Sequence, residues 1–238
     1  MEKIITYENL RHFAYSNDHL IKDEIKGIVV GFMGLGGLTM HAGDPGDCID
    51  YAKRGILYVL PYFNPWCWMN RQAVAYTDEI LDVIFEKYSL GEEVKIASTG
   101  GSMGGLCALV YCAYAKRTPT ACIVNCPVCD LPYHYTERAD LPRTLYSAFG
   151  EYEGTMEEAL KSCSPLHLAE KMPKIPYTVF HCTADKAVNL EKHSETFVAA
   201  MKKAGHDIVL KTVADRPHCE LSPEARVEHD ALIYSTFD

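Results

Sequence analysis

The sequence predicts an α/β fold, a mostly parallel sheet with helices on both faces. Three observations predict it. Short apolar runs recur along the chain, longer amphipathic stretches separate them, and the runs are continuously apolar rather than alternating, as strands buried on two faces require. The 238 residues, 48% of them hydrophobic, are enough for one sizeable core. No Pro/Gly/Ser-rich linker or charge block divides them, so residues 1–238 are expected to form a single domain carrying one insert.

The elements follow in order. An edge strand is expected near residues 10–15. Residues 27–32 (GIVVGF), 56–60 (ILYVL), 94–99 (VKIAST), 121–125 (ACIVN), 177–181 (YTVFH) and 208–213 (IVLKTV) read as buried strands. Between them, residues 71–88 place Val74, Ile80, Leu81, Ile84 and Phe85 at helical spacing. Residues 103–116 are small and apolar, and 190–204 and 223–236 read as later helices. Pro223 suits a first helical turn, with Ser222 as its cap. Residues 132–176 break the rhythm: they hold no good strand, only helix candidates at 151–161 and 165–171. This stretch, about 132–172, is expected to be a helical insert, either a lid over the site or a decorated crossover remote from the chemistry.

Composition narrows the function. A net charge of −9, from 23 basic and 32 acidic residues with no basic stripe, argues against nucleic acid as a partner. No apolar run reaches the roughly 20 residues that span a bilayer, so no membrane partner is expected. The first 15 residues lack the pattern of a secretory signal, so a cytoplasmic protein with reduced thiols is expected. Of ten cysteines, Cys107, Cys112, Cys122 and Cys182 sit in apolar runs and read as small core residues. Cys126 and Cys129 form the one C-x-x-C pair; with no second pair after it, no metal or other cofactor is expected.

The chemistry starts at Gly100-Gly101-Ser102-Met103-Gly104, a G-x-S-x-G that follows a strand and opens a helix. In that context the motif is a nucleophile elbow, and the fold is that of an α/β hydrolase. A serine hydroxyl needs a base to take its proton and an acid to orient that base, in the chain order Ser, acid, His. His218 lies in the loop after the last strand and fits the base. His181, His193, His206 and His229 fall in or beside strands and helices and read as structural or exposed. Asp185 follows the strand at 177–181 and fits the acid, with Asp130 in reserve; Asp215 shares the loop of His218 and suits the role less well. An oxyanion needs two backbone donors. Met103, after the nucleophile, supplies one. Leu35, in the Gly-rich loop Met33-Gly34-Leu35-Gly36-Gly37, is expected to supply the other, with Met33 or Gly34 within register error.

These motifs resemble the prolyl oligopeptidase-like and dienelactone hydrolase-like branch of the α/β hydrolases. Gly100–Gly105 is similar to its nucleophile motif, and Ser164-Pro165-Leu166 through Asp185 and Val188 resembles the segment leading to its acid. The resemblance runs from about Gly27 to His218. Members often carry His-Gly where this chain has Met33-Gly34, and again where it has His181-Cys182. Only about 26 residues precede the first core strand here, so the resemblance implies a compact member without the propeller of the large peptidases. Compact members are often carboxylesterases or deacetylases.

Tyr62, Trp66 and Trp68, after the strand at 56–60, are candidates to line a substrate site with aromatic faces. The expected reaction is hydrolysis of small or medium acyl esters through an acyl-enzyme on Ser102. A peptidase or amidase with the same triad is the alternative, and a ligand-binding protein on the same fold a more distant one. The expected partner is a small-molecule ester; a homodimer through the sheet edge or final helix is left open.

Overall fold

A computed structural model describes residues 4–37, 40–63 and 65–238. Seven strands form one sheet: β1 (Ala14–Ser16), β2 (Gly27–Phe32), β3 (Ile56–Pro61), β4 (Lys95–Gly101), β5 (Ala121–Asn125), β6 (Tyr177–Cys182) and β7 (Ile208–Val213). Their spatial order is β1-β3-β2-β4-β5-β6-β7. Only β1 runs antiparallel to its neighbour. This is the α/β-hydrolase arrangement that the sequence predicts.

The strands alternate their burial between two cores. Ile28 and Val30 of β2 face a large cluster with helices α2 (Arg71–Tyr88), α3 (Met103–Tyr114) and α8 (Thr196–Lys203). Val29, with Ala97 and Ile123, faces the other side, where Tyr51 of α1 (Gly46–Lys53) and Ile233 of α9 (Pro223–Ser235) pack. Caps fix the helix starts. Asn70 Oδ1 accepts the Ala73 N–H at 3.0 Å to open α2, and Ser222 Oγ accepts that of Ala225 at 3.2 Å to open α9 behind Pro223.

Three regions refine the expectations. The first turn is a 3-10 helix, Tyr7–His12, so the edge strand shrinks to Ala14–Ser16. Asn9 Oδ1 takes the Thr6 N–H at 2.8 Å and gives the chain a local alternative to strand pairing. The stretch at 190–204 is not one regular helix. It opens with a π-helical turn, Glu191–Glu195, before α8. That wide turn aims His193 and Ser194 inward, where both are fully buried. The insert holds four short helices, α4 (Leu131–Glu137), α5 (Leu141–Phe149), α6 (Met156–Ser162) and α7 (Pro165–Leu168). Leu131, Leu141, Leu145 and Leu168 join the same core cluster as α2 and α3, so the insert is packed into the body of the fold.

The sheet order positions the site. The chain steps outward from β2 to β3, then crosses back to lay β4 on the other side of β2. The order therefore reverses between β2 and β4, which opens a crevice at their carboxyl ends. Phe32 pairs with Gly100 in that register, which brings the loop after β2 beside Ser102.

Candidate active site

Ser102 lies between β4 and α3 with φ 58° and ψ −125°, a backbone state that costs a non-glycine residue on the order of 1–3 kcal/mol. Two glycines permit the turn. A Cβ on Gly100 would stand 2.4 Å from the Gly104 carbonyl oxygen, and one on Gly104 would stand 2.2 Å from that of Phe32. The Ser102 N–H donates to the Asn125 carbonyl at 3.0 Å, which ties the elbow to the end of β5.

Asp185 and His218 meet. His218 Nδ1 lies 2.6 Å from Asp185 Oδ2, so the ring donates there. Asp185 Oδ1 accepts the N–H groups of Ala187 at 2.8 Å and Val188 at 3.0 Å. Burial disfavours the charged carboxylate, yet these donors outweigh it and hold Asp185 below its ordinary range. Burial also disfavours a charged imidazole, but the bond to Asp185 and the neighbouring Cys126 thiol outweigh it and push His218 up to about 9. His218 is 27% exposed and Asp185 1%, so the acid is enclosed while the imidazole stays accessible.

The elbow and the histidine loop touch through their chain neighbours. A Cβ on Gly101 would stand 3.2 Å from Cys219 Sγ. Asn125 Nδ2 donates to the Cys219 carbonyl at 3.0 Å, while its own carbonyl takes the Ser102 N–H. Asn125 thus fastens both loops, and its buried Oδ1 has no partner. Sequence reasoning missed this residue; its signal was a polar residue closing an apolar strand. His218 Nε2 points toward the sulfur of Cys219, 3.6 Å away.

The oxyanion candidates flank the elbow. Met103 is the first residue of α3, so its N–H has no acceptor within the helix. The loop after β2 passes over the elbow: a Cβ on Gly34 would stand 3.8 Å from Ser102 Cβ. In that loop the Gly36 N–H donates to Pro65 O and the Gly37 N–H to Gly34 O, while that of Leu35 donates to no described residue.

The aromatic candidates separate. Tyr62 is half-buried, and its hydroxyl accepts the His41 N–H at 3.3 Å. Trp66 is also half-buried, with the Arg143 guanidinium 5.7 Å from its ring centre. Trp68 departs from the expectation of a substrate contact. It is fully buried, its indole N–H donates to Thr144 Oγ1 at 3.1 Å, and His134 packs edge-on against it. It anchors the insert. The reserve acid Asp130 caps α4 through the Tyr133 N–H. His181, His193, His206 and His229 are all buried. The ten cysteines are free, nine of them buried, and Cys126 and Cys129 form no disulfide. Among the described residues no helix is long and apolar enough to cross a membrane.

Sheet order, elbow and His–Asp pair together define an α/β hydrolase. The chain belongs to the prolyl oligopeptidase family, whose model matches residues 75–237, and so to the serine hydrolases. No curated protein matches the chain by sequence. Among solved structures it is similar to the acylaminoacyl peptidase of Pyrococcus horikoshii, at 18% identity and a TM-score of 0.68, over 91% of this chain and 37% of that one. It is similar to a thermophilic esterase from Thermogutta terrifontis, at 22% identity and a TM-score of 0.62, over 93% and 87%. It is also similar to esterase B of Lactobacillus rhamnosis, at 13% identity and a TM-score of 0.69, over 92% and 77%. The chain thus spans little more than a third of the length of the peptidase. At these identities the likenesses show the fold.

Proposed function

We propose that the protein is a carboxylesterase acting on small or medium acyl esters. Ser102 Oγ attacks the carbonyl, His218 Nε2 takes its proton, and Asp185 holds the imidazole in the tautomer with Nδ1 protonated. The N–H groups of Met103 and Leu35 hold the oxyanion. The proton then passes to the leaving alcohol, and water activated by His218 releases the acid from Ser102. Tyr62 and Trp66 are the aromatic groups best placed to meet the substrate.

The observation that carries this reading is the 2.6 Å bond between His218 and Asp185, in a loop that touches the strained Ser102 elbow. Esterase is favoured over peptidase because the Thermogutta esterase is covered over 87% of its length. That esterase has propionate or butyrate bound in its structures, which supports a short acyl group. A peptidase reading is supported by the likeness to the acylaminoacyl peptidase.

The test is hydrolysis of p-nitrophenyl esters from acetyl to long acyl chains, beside N-acyl amino-acid anilides, by wild type and Ser102→Ala. Short esters should turn over fastest, and Ser102→Ala should lose about 10³-fold or more of kcat. Faster cleavage of the anilides would instead make the protein a peptidase. Wild-type ester turnover in Ser102→Ala would remove Ser102 as nucleophile.

A further inference from the structure

Among the described residues three clusters, buried or partly buried, bring histidine nitrogen together with thiol or carboxylate groups closely enough to surround a cation: His134, Glu137 and His193; Cys126, His181 and Asp185; Cys126, His218 and Cys219. A histidine ligates through a ring nitrogen that carries a lone pair, with the other nitrogen protonated and donating. That rule separates the three.

In the first cluster, His193 Nδ1 accepts the N–H groups of both Cys129 and Asp130 at 3.1 Å. Its proton is therefore on Nε2, directed at Glu137 Oε2 3.0 Å away, and no lone pair faces the centre. In the second, His181 Nε2 faces the Val188 carbonyl at 3.1 Å and Asp185 Oδ2 at 3.5 Å. Both are acceptors, so Nε2 again carries the proton. In the third the tautomer is reversed. His218 Nδ1 donates to Asp185, and the lone pair of Nε2 faces Cys219 Sγ.

The rest of the third cluster fits a soft cation. The ring nitrogen and the two sulfurs lie within 4.8 Å of one another, with Nε2 and Cys219 Sγ 3.6 Å apart. Tetrahedral zinc, with Zn–S of ~2.3 Å and Zn–N of ~2.0–2.1 Å, sets its ligand atoms about 3.5–3.8 Å apart. Cys126 Sγ accepts the N–H groups of Cys182 at 3.3 Å and Cys219 at 3.4 Å, donors that stabilise a thiolate. Cys219 is partly exposed and gives the cluster an opening. Asp185 already stands behind His218 as the outer carboxylate that zinc-bound histidines commonly have.

We propose that Cys126, Cys219 and His218 form a binding site for a thiophilic divalent cation, zinc being the probe, and that a bound cation switches the hydrolase off. The two S–H bonds break, two S–Zn bonds form and both protons leave to solvent; His218 contributes its Nε2 lone pair, and nothing is oxidised or reduced. Three protein ligands leave a fourth position for water. With Nε2 held by the cation, no base remains for Ser102. The inhibition rests on His218 being the base, as proposed above, whereas the binding does not. Because both thiols must lose a proton to bind, binding should tighten as pH rises.

Two readouts on the full chain test this. Cobalt(II) should give a thiolate-to-cobalt charge-transfer band at one cobalt per chain, which zinc displaces. Zinc should inhibit ester hydrolysis reversibly, with a chelator restoring the rate. Cys219→Ser should weaken the band and raise the half-inhibitory zinc concentration at least about tenfold, since a lost ligand costs no less than a lost outer partner. Cys126→Ser should do the same; Cys219, being partly exposed, supplies the variant safest for folding. No band in the wild type, or a band that survives both substitutions, would overturn the site. A band that depends on both cysteines without any zinc inhibition would uphold the site and overturn His218 as the base.

Discussion

Two histidine–carboxylate pairings sit on either side of the segment after β6, and they are built for opposite ends. His218 meets Asp185 through Nδ1 and leaves Nε2 without a carboxylate or carbonyl partner, on a ring that is partly exposed. His193 and His134 both meet Glu137, which accepts from them at 3.0 and 2.7 Å, and both rings are buried. Glu137 Oε1 also takes the Asn189 N–H at 3.3 Å, so one carboxylate staples the insert to the loop that follows Asp185. The residue types are the same. What differs is which nitrogens are committed and whether the ring is buried or partly exposed. His193 spends both ring nitrogens on structure, whereas His218 commits only Nδ1 and keeps Nε2 for chemistry.

The largest effect should come from breaking the open pairing. Asp185→Asn keeps the shape but lets His218 adopt the wrong tautomer, so kcat should fall by about 10⁴-fold with the melting temperature little changed. Glu137→Gln is its counterpart: stability should fall by about 1–3 kcal/mol in denaturant titrations, while kcat changes far less. Equal losses of kcat in the two variants would erase the distinction.

The pH profiles should separate the pairings next. Only neutral His218 can take a proton. With its pKa pushed up to about 9, kcat/KM should climb with pH and level off above about 9. Because the Cys126 thiol helps to raise His218, Cys126→Ala should move that midpoint to lower pH. Glu137 acts in another window. Burial opposes its charge, but the bonds from His134 and His193 outweigh this and pull it down to about 2. Its stabilisation is therefore complete above the ordinary carboxylate range and is lost as pH falls toward 2, a loss that Glu137→Gln should not show.

The smallest effect should be at the insert's anchor. Trp68→Phe keeps most of the buried ring but removes the N–H that reaches Thr144, and should cost about 1 kcal/mol. No loss in a thermal melt would mean that packing alone holds the insert there.

Much of the site was legible because its parts announce themselves locally. The elbow is a short run whose glycines are forced by backbone contacts within the turn and with the neighbouring strand, and Asp185 and His218 each follow a strand directly. Trp68 was misleading for the opposite reason. A tryptophan in a loop after a strand looks the same in sequence whether it faces substrate or an insert 76 residues away. Asn125 gave little warning, because its two roles, one through the main chain and one through the amide, join loops distant in the chain.

The sequence by itself determined the strands, through runs of apolar residues that can be satisfied only by burial on both faces, and the elbow, through glycines that no side chain could replace. Tertiary structure alone decided which groups meet. Cys126 and Cys219 stand 93 residues apart in the chain, and only the side-by-side order of β5, β6 and β7 carries them to one another and to His218. It also decided the tautomers: a histidine's proton goes where acceptors surround the ring, and those acceptors come from distant segments that no local pattern can specify.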